Sequence, residues 1–136
     1  MGGLGGGQPF RVLIAEDNLD VAQLHEEVVR MVIPHNTSFA WVTSEDGAVA
    51  FDTRSCELIL MDGALKPGSG ISAIRRIRAA GIETPVVFGS GKLELVEAAQ
   101  GEPRVIALLK PAKVSELQAA IRQAIAMRDA RSAGRE

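Results

Sequence analysis

The sequence is poor in several residue classes, and each shortage excludes a class of protein. It contains a single cysteine, Cys56, so an internal disulfide cannot form, and no signal peptide with a charged start and an apolar stretch is recognisable. Both points favour a reducing, cytoplasmic location. Aromatic residues make up only 4% of the chain and the formal net charge is -2, without a basic stripe that would neutralise a phosphodiester backbone. Direct nucleic-acid binding is therefore not expected.

Long hydrophobic runs are also missing. No apolar run approaches the ~18 residues that a membrane-spanning helix needs, so we expect no association with membranes. The 136 residues are close to the commonest size of one domain, and 46% of them are hydrophobic, as is ordinary for a globular protein. The glycine-rich residues 1–9 can bury almost nothing and are expected to form a flexible arm. We therefore expect one domain over residues 10–128 and a polar tail over residues 129–136.

Short apolar runs alternate with amphipathic stretches along the rest of the chain. The runs are typical of buried strands, and the stretches between them place apolar residues at helical spacing. The predicted strands are residues 11–15, 39–42, 58–61, 85–88 and 105–109. The predicted helices are residues 20–32, 45–51, 71–80, 93–100 and 115–127. This alternation predicts a parallel sheet that is covered by helices on both faces.

Acidic residues stand where two of these strands give way to loops. Glu16 and Asp17 follow the first strand, and Asp62 follows the third. In an open doubly wound sheet with strand order 2-1-3-4-5, ligands bind at the carboxyl edge between strands 1 and 3, where the strand order reverses. Like charges held together at that point would repel one another unless a cation neutralised them, and a site built only from oxygen ligands suits Mg²⁺. The sequence therefore predicts a magnesium site.

The fourth and fifth strands lead into a hydroxyl and an ammonium group, on Ser90 and Lys110. A carboxylate such as that of Asp62 can attack phosphorus as a nucleophile and become an acyl phosphate. The transferring group spreads its charge over three oxygens, and Mg²⁺, a hydroxyl and a lysine ammonium can each receive one of them. These residue types predict phosphoryl transfer onto Asp62, assisted by Ser90 and Lys110.

The runs RVLIAEDN and LILMDGALKPGSG, a serine that closes strand 4 and a Lys-Pro pair that closes strand 5 resemble bacterial response-regulator receiver domains. The resemblance covers about residues 11–127. It implies a CheY-like, flavodoxin-like fold, a doubly wound (βα)5 three-layer sandwich with a five-stranded parallel sheet in order 2-1-3-4-5. It also implies a sensor histidine kinase or a histidine phosphotransfer protein as phosphodonor, and an output partner or a homodimer as the target.

The resemblance also assigns roles to individual residues. It implies that Mg²⁺ is bound by Glu16, Asp17, Asp62 and the backbone carbonyl of Ala64. It implies that Ser90 and Lys110 contact the phosphoryl group and that the Lys110-Pro111 peptide bond is cis. Asp62 would then be a 4-aspartylphosphate in the phosphorylated protein, and the chain would be a signalling domain rather than an enzyme.

The chain departs from the family pattern at several positions. The proline that the family usually has four residues after the phosphoacceptor is Lys66 here, and Pro67 follows it. The acidic cap of helix 3 is replaced by Ser69, whose hydroxyl can still accept a backbone hydrogen bond. The aromatic residue that switches in common receivers is Ala107, and the aromatic that commonly follows Lys-Pro is Ala112. The usual route of signal output is therefore in question.

Two other functions compete with the receiver interpretation. A pseudo-receiver would be a protein-interaction module that keeps the fold without being controlled by phosphorylation. The missing aromatic favours it, and the intact acidic residues with their lysine argue against it. A phosphohydrolase with Asp62 as covalent nucleophile generally needs a second carboxylate two residues later, where this chain has Ala64. Accumulation of one phosphoryl group on Asp62, rather than turnover, would distinguish these functions.

Overall fold

The computed structural model describes residues 7–134, with side chains over residues 7–130. The predicted arm over residues 1–9 and the predicted tail over residues 129–136 lie partly outside these ranges, and both boundaries stay predictions. Within residues 7–134, no helix is both long enough and apolar enough to cross a membrane.

Strands and helices alternate along the described chain, as the sequence predicts. The strands are β1 (Phe10–Ala15), β2 (Thr37–Val42), β3 (Leu58–Asp62), β4 (Val86–Ser90) and β5 (Val105–Leu109). The helices are α1 (Leu19–Val32), α2 (Glu45–Ala50), α3 (Gly70–Ala79), α4 (Leu93–Gln100) and α5 (Val114–Gly134). A short 3-10 helix, Thr53–Ser55, precedes β3.

The strands form one parallel sheet in the order β2-β1-β3-β4-β5, which confirms the predicted topology. Strands β1 and β3 are neighbours, and Ala15 pairs in register with Met61. Glu16 and Asp62, which follow these two positions, therefore lie at the same level of the carboxyl edge. On the other side of β3, Asp62 pairs with Gly89. This register is what brings the ends of β1, β3 and β4 to one edge of the sheet.

The hydrophobic core has two layers, because successive side chains of a strand point to opposite faces of the sheet. One layer packs under α2, α3 and α4 and includes Leu13, Ile59, Met61, Ile74, Ile77 and Phe88. The other packs under α1 and α5 and includes Val12, Ile14, Val28, Leu60, Val87 and Ile121. Each fully buried side chain of this size contributes roughly 1.5–3 kcal/mol relative to an exposed one. The central strands are thereby held rigidly below the carboxyl edge.

Three helices begin at this edge with a side-chain cap. The Oδ1 atom of Asn18 accepts from the N–H of Val21 at 3.1 Å at the start of α1. Ser44 caps α2, and the Oγ atom of Ser69 accepts from the N–H of Ser72 at 3.0 Å at the start of α3. A cap of this kind stabilises a helix by about 1 kcal/mol. The expectation that Ser69 replaces the acidic cap of helix 3 is confirmed.

Helix α5 is longer than predicted. It continues through Gly134, whereas the prediction ended it at residue 127. The prediction assigned residues 129–136 to a polar tail. Residues 128–133 nevertheless contain no proline or glycine, and alanine and arginine are good helix formers, so nothing interrupts the helix there.

Candidate functional site

The predicted carboxylates come together at the carboxyl edge of the sheet. Glu16 follows β1 and is buried, Asp62 ends β3 and is buried, and Asp17 is exposed beside them. One ligand oxygen of each of these residues lies within 4.8 Å of those of the other two. The pairing of β1 with β3 is what brings residues from two distant parts of the chain into one cluster.

Within this cluster, the carboxylate of Glu16 lies in surroundings that disfavour its negative charge. Its Oε2 atom accepts from the N–H of Asn18 at 3.1 Å, but its buried Oε1 atom has no hydrogen-bond partner. Burial, followed by the negative charge of Asp62, raises the pKa of Glu16 to about 7. A buried carboxylate oxygen without a donor, facing other carboxylates, is the environment that a divalent cation satisfies. The donor set therefore fits Mg²⁺.

Lys110 reaches this cluster from the end of β5. Its Nζ atom donates to Oδ1 of Asp62 at 2.9 Å and lies 3.9 Å from Oε1 of Glu16. The lysine side chain runs over β4 at Gly89, where an added Cβ atom would lie 3.0 Å from Cε of Lys110. Because residue 89 has no side chain, the side chain of Lys110 can pass over β4 and its ammonium group can reach Asp62.

Ser90 lies at the end of β4, the strand that pairs with β3 on the side away from β1. It is 4% exposed, and its Oγ atom accepts from the N–H of Lys92 at 3.1 Å. The chain after Asp62 packs closely against it, because a Cβ atom at Gly63 would lie 3.0 Å from Cβ of Ser90 and 2.7 Å from Cζ of Phe88. The hydroxyl, the lysine and the carboxylates therefore all stand at the same edge of the sheet.

The loop between β3 and α3 carries Ala64, which is exposed two residues beyond Asp62. The Lys66-Pro67 peptide bond in this loop is cis. The Lys110-Pro111 bond is also cis, as predicted.

Two residues near the site were not predicted to belong to it. Trp41 lies on the edge strand β2, where its Nε1 atom donates to the backbone carbonyl of Glu16 at 2.5 Å. His25 lines a cavity of about 190 Å³ beside Asp62 and Lys110, where burial lowers its pKa. The spacing of His25 four residues after Val21 was the signal that it shares the inner face of α1.

Comparison with known proteins agrees with this geometry. The sequence pattern of the response regulator receiver domain matches residues 12–122. Among curated proteins, the transcriptional regulatory protein DltR of Streptococcus agalactiae is 29% identical over 118 residues, which cover 83% of this chain and 50% of DltR. The chain thus spans about half the length of that relative.

Solved structures show the same fold. The receiver domain of a sensor histidine kinase from Pseudomonas aeruginosa PAO1, which has a magnesium ion coordinated in its active site cleft, is 26% identical with a TM-score of 0.71, covering 87% of this chain and 98% of that one. A CheY-like response regulator receiver domain protein from Methanospirillum hungatei JF-1 is 13% identical with a TM-score of 0.73, covering 91% and 99%. The match over residues 12–122 shows that the chain belongs to the response regulator receiver domain family of two-component systems.

Proposed function

We propose that this receiver domain accepts a phosphoryl group on Asp62 from a phosphohistidine donor, in a reaction that depends on Mg²⁺. The observation that carries the proposal is the buried carboxylate of Asp62, which lies 2.9 Å from the ammonium of Lys110 and within one acidic cluster with Glu16 and Asp17. A nucleophilic carboxylate with an ammonium beside it and a cation site next to it is the arrangement that phosphoryl transfer requires.

Glu16, Asp17, Asp62 and the carbonyl of Ala64 would hold the ion. When bound, Mg²⁺ neutralises the carboxylates and the charge that develops on the phosphoryl oxygens. An oxygen of Asp62 forms the new bond to phosphorus while the bond from phosphorus to the imidazole nitrogen of the donor breaks, and that nitrogen keeps the electron pair.

Lys110 and Ser90 act on the transferred group directly. The ammonium of Lys110 already donates to Asp62 and needs only a small shift to donate to a phosphoryl oxygen. The hydroxyl of Ser90 accepts from Lys92 with an oxygen lone pair, so its own proton stays available for a second phosphoryl oxygen. Both groups stabilise negative charge that water would otherwise solvate.

The donor is a sensor histidine kinase or a histidine phosphotransfer protein in the cytoplasm, and the phosphorylated domain regulates an output partner or forms a homodimer. These assignments follow from family membership. The similarity to DltR, a transcriptional regulator, and to a receiver domain of a sensor kinase supports a role in signalling and not in metabolism.

The test is phosphorylation by a small phosphodonor in the presence of Mg²⁺, followed by mass spectrometry. Wild-type protein should accumulate one phosphoryl group on Asp62. The Asp62→Asn variant should stay folded and acquire none. An Asp62→Asn protein that is labelled at the wild-type rate would show that another residue is the acceptor.

The same experiment separates the competing functions. A wild-type protein that is folded, binds Mg²⁺ and still acquires no label would support the pseudo-receiver. Rapid release of inorganic phosphate without accumulation on Asp62 would support a hydrolase.

A further inference from the structure

Helix α2 holds the loop between β3 and α3 through its first residue, Glu45. The backbone N–H of Glu45 donates to the carbonyl of Pro67 at 3.3 Å. Its Oε1 atom accepts from the N–H of Ser69 at 3.0 Å, and its Oε2 atom accepts from the hydroxyl of Ser72 at 2.6 Å. One residue of a different element thus binds the end of this loop and the first turn of α3.

Gly68 makes this contact possible. It lies between the two loop residues that Glu45 binds, and its φ of +98° falls in the region that favours glycine. A Cβ atom at position 68 would lie 2.6 Å from Oε1 of Glu45, which is a collision. The loop backbone can therefore approach the carboxylate only because this residue has no side chain.

Charge fixes the position of the Glu45 carboxylate. Nη1 of Arg76 lies 2.8 Å from Oε2 of Glu45 and 2.8 Å from Oδ1 of Asp46. The hydroxyl of Ser72, then Arg76, then the N–H of Ser69 lower the pKa of Glu45 to about 2, so the carboxylate is ionised at neutral pH. The Glu45 side chain is only 12% exposed, whereas that of Asp46 is 85% exposed. Asp46 thus shares Arg76 with Glu45, but the contacts to Ser69 and Ser72 are made by Glu45.

The other end of the loop is fixed at the site itself. The N–H of Gly63 donates to the carbonyl of Gly89 at 2.8 Å, and the N–H of Gly70 lies 3.4 Å from the carbonyl of Gly63. Gly70 also packs directly on the carbonyl of Asp62, where a Cβ atom would collide with it. Residues 64–66 span the gap between these two anchors, and Ala64 is the first of them.

We propose that Glu45 is a positioning residue for the Mg²⁺ site, which acts by holding the β3–α3 loop so that the Ala64 backbone stays in place beside Asp62. This role rests on the proposed function, because Ala64 matters only if its carbonyl is a ligand of the ion. Removal of a group that contacts a metal ligand directly typically weakens metal binding by about 10-fold or more. Glu45 acts one step further away, through Pro67 and Ser69, so its loss should have a smaller, several-fold effect. Glu45 would therefore set the affinity for Mg²⁺ without touching it.

The experiment is a Mg²⁺ titration of the wild type and of Glu45→Gln, followed through the fluorescence of Trp41. This is the only tryptophan in the sequence, and its indole donates to the carbonyl of Glu16, next to the metal ligands. We expect the Mg²⁺ midpoint of Glu45→Gln to rise several-fold, by less than the ~10-fold that loss of a direct partner of a ligand costs. The phosphorylation rate at saturating Mg²⁺ should stay near that of the wild type, because the ligands and Lys110 are unchanged.

The matched control is Asp46→Asn, which removes the other acidic partner of Arg76 while leaving the loop contacts of Glu45 in place. Its Mg²⁺ midpoint should equal that of the wild type. Amide hydrogen exchange without Mg²⁺ gives a second readout, in which Glu45→Gln should exchange faster over residues 64–69 and Asp46→Asn should not.

The outcomes separate the two proposals. An unshifted midpoint in Glu45→Gln, with a normal wild-type response, overturns the positioning role and leaves the proposed function intact. Equal shifts in both variants overturn it as well, since they would reflect surface charge. A wild type that neither binds Mg²⁺ nor becomes phosphorylated overturns the proposed function, and the role of Glu45 with it.

Discussion

The ammonium nitrogen of Lys110 lies 2.9 Å from Oδ1 of Asp62, and it reaches that position from the end of a strand that does not neighbour β3. The lysine crosses β4 at Gly89 to do so. An ion pair built across an intervening strand holds the Asp62 carboxylate in one orientation. For the proposed phosphoryl transfer, the electrostatic environment is therefore organised in advance.

Removal of the Asp17 side chain should impair Mg²⁺ binding without destabilising the fold. Asp17 is exposed, so Asp17→Ala should change the free energy of unfolding by no more than about 0.5 kcal/mol. Phosphorylation should nevertheless be abolished, as it should be for wild-type protein in excess chelator, because one ligand of the cation is gone. Thermal melting and labelling of the same samples check this. Undiminished labelling of Asp17→Ala, or of wild type in chelator, would remove Mg²⁺ from the mechanism.

The stability of the metal-free protein should fall as the pH rises. The pKa of Glu16 is raised from 4.5 in the unfolded chain to about 7 in the folded protein. The folded state thus binds more protons between these values, and the free energy of unfolding decreases as the pH rises through that range. At about 1.4 kcal/mol per pKa unit, the loss is on the order of 3 kcal/mol.

Urea denaturation at several pH values, with and without Mg²⁺, measures this effect. Mg²⁺ binds the ionised carboxylates, so it should restore most of the lost stability at high pH and little of it at low pH. A metal-free protein whose stability is constant between mildly acidic and mildly alkaline pH would contradict the prediction.

The phosphoryl group on Asp62 should be long-lived. In receivers, the side chains two residues after the phosphoacceptor and two residues after the hydroxyl residue flank the attacking water, and here these are Ala64 and Lys92. Ala64 cannot orient that water, and Lys92 can obstruct it or shield the phosphoryl charge. Both side chains are exposed at the carboxyl edge, as this role requires. Ala64→Asn and Lys92→Ala should therefore shorten the half-life of the phosphorylated protein several-fold, and unchanged half-lives in both would reject this explanation.

The signal should leave the site through the loop after β4. The Oγ atom of Ser90 accepts from the N–H of Lys92, the residue before α4, so movement of Ser90 toward a phosphoryl group would disturb the start of that helix. On β5, Ala107 pairs in register with Phe88 and has no ring that could rotate. Hydrogen exchange with a phosphoryl mimic should change most over residues 89–95 and little on β5. Asp62→Asn with the same mimic is the control, and a strong response of β5 and α5 alone would show that another residue carries the signal.

The sheet and the proximity of the candidate site residues were predictable because they depend on local pattern. Each strand is an apolar run, and Asp62, Ser90 and Lys110 are recognised by their place at a strand end. The contribution of Glu45 was not predictable, because its partner Ser69 lies 24 positions away and nothing in the sequence between them indicates that α2 faces the start of α3. Trp41 was missed for the same reason, since its bond to Glu16 depends on how β2 pairs with β1. Contacts that are set by packing between helices and strands can be identified only from the structure.

The close approach of Gly68 to Glu45 also limits how the sequence can change. Any side chain at position 68 would occupy the space that the glutamate now fills, and it would also have to adopt a φ of +98°, which favours glycine whatever stands at position 45. The dependence therefore runs in one direction. In closely related proteins, a glutamate at position 45 should occur only with glycine at position 68, whereas the glycine can persist when position 45 changes.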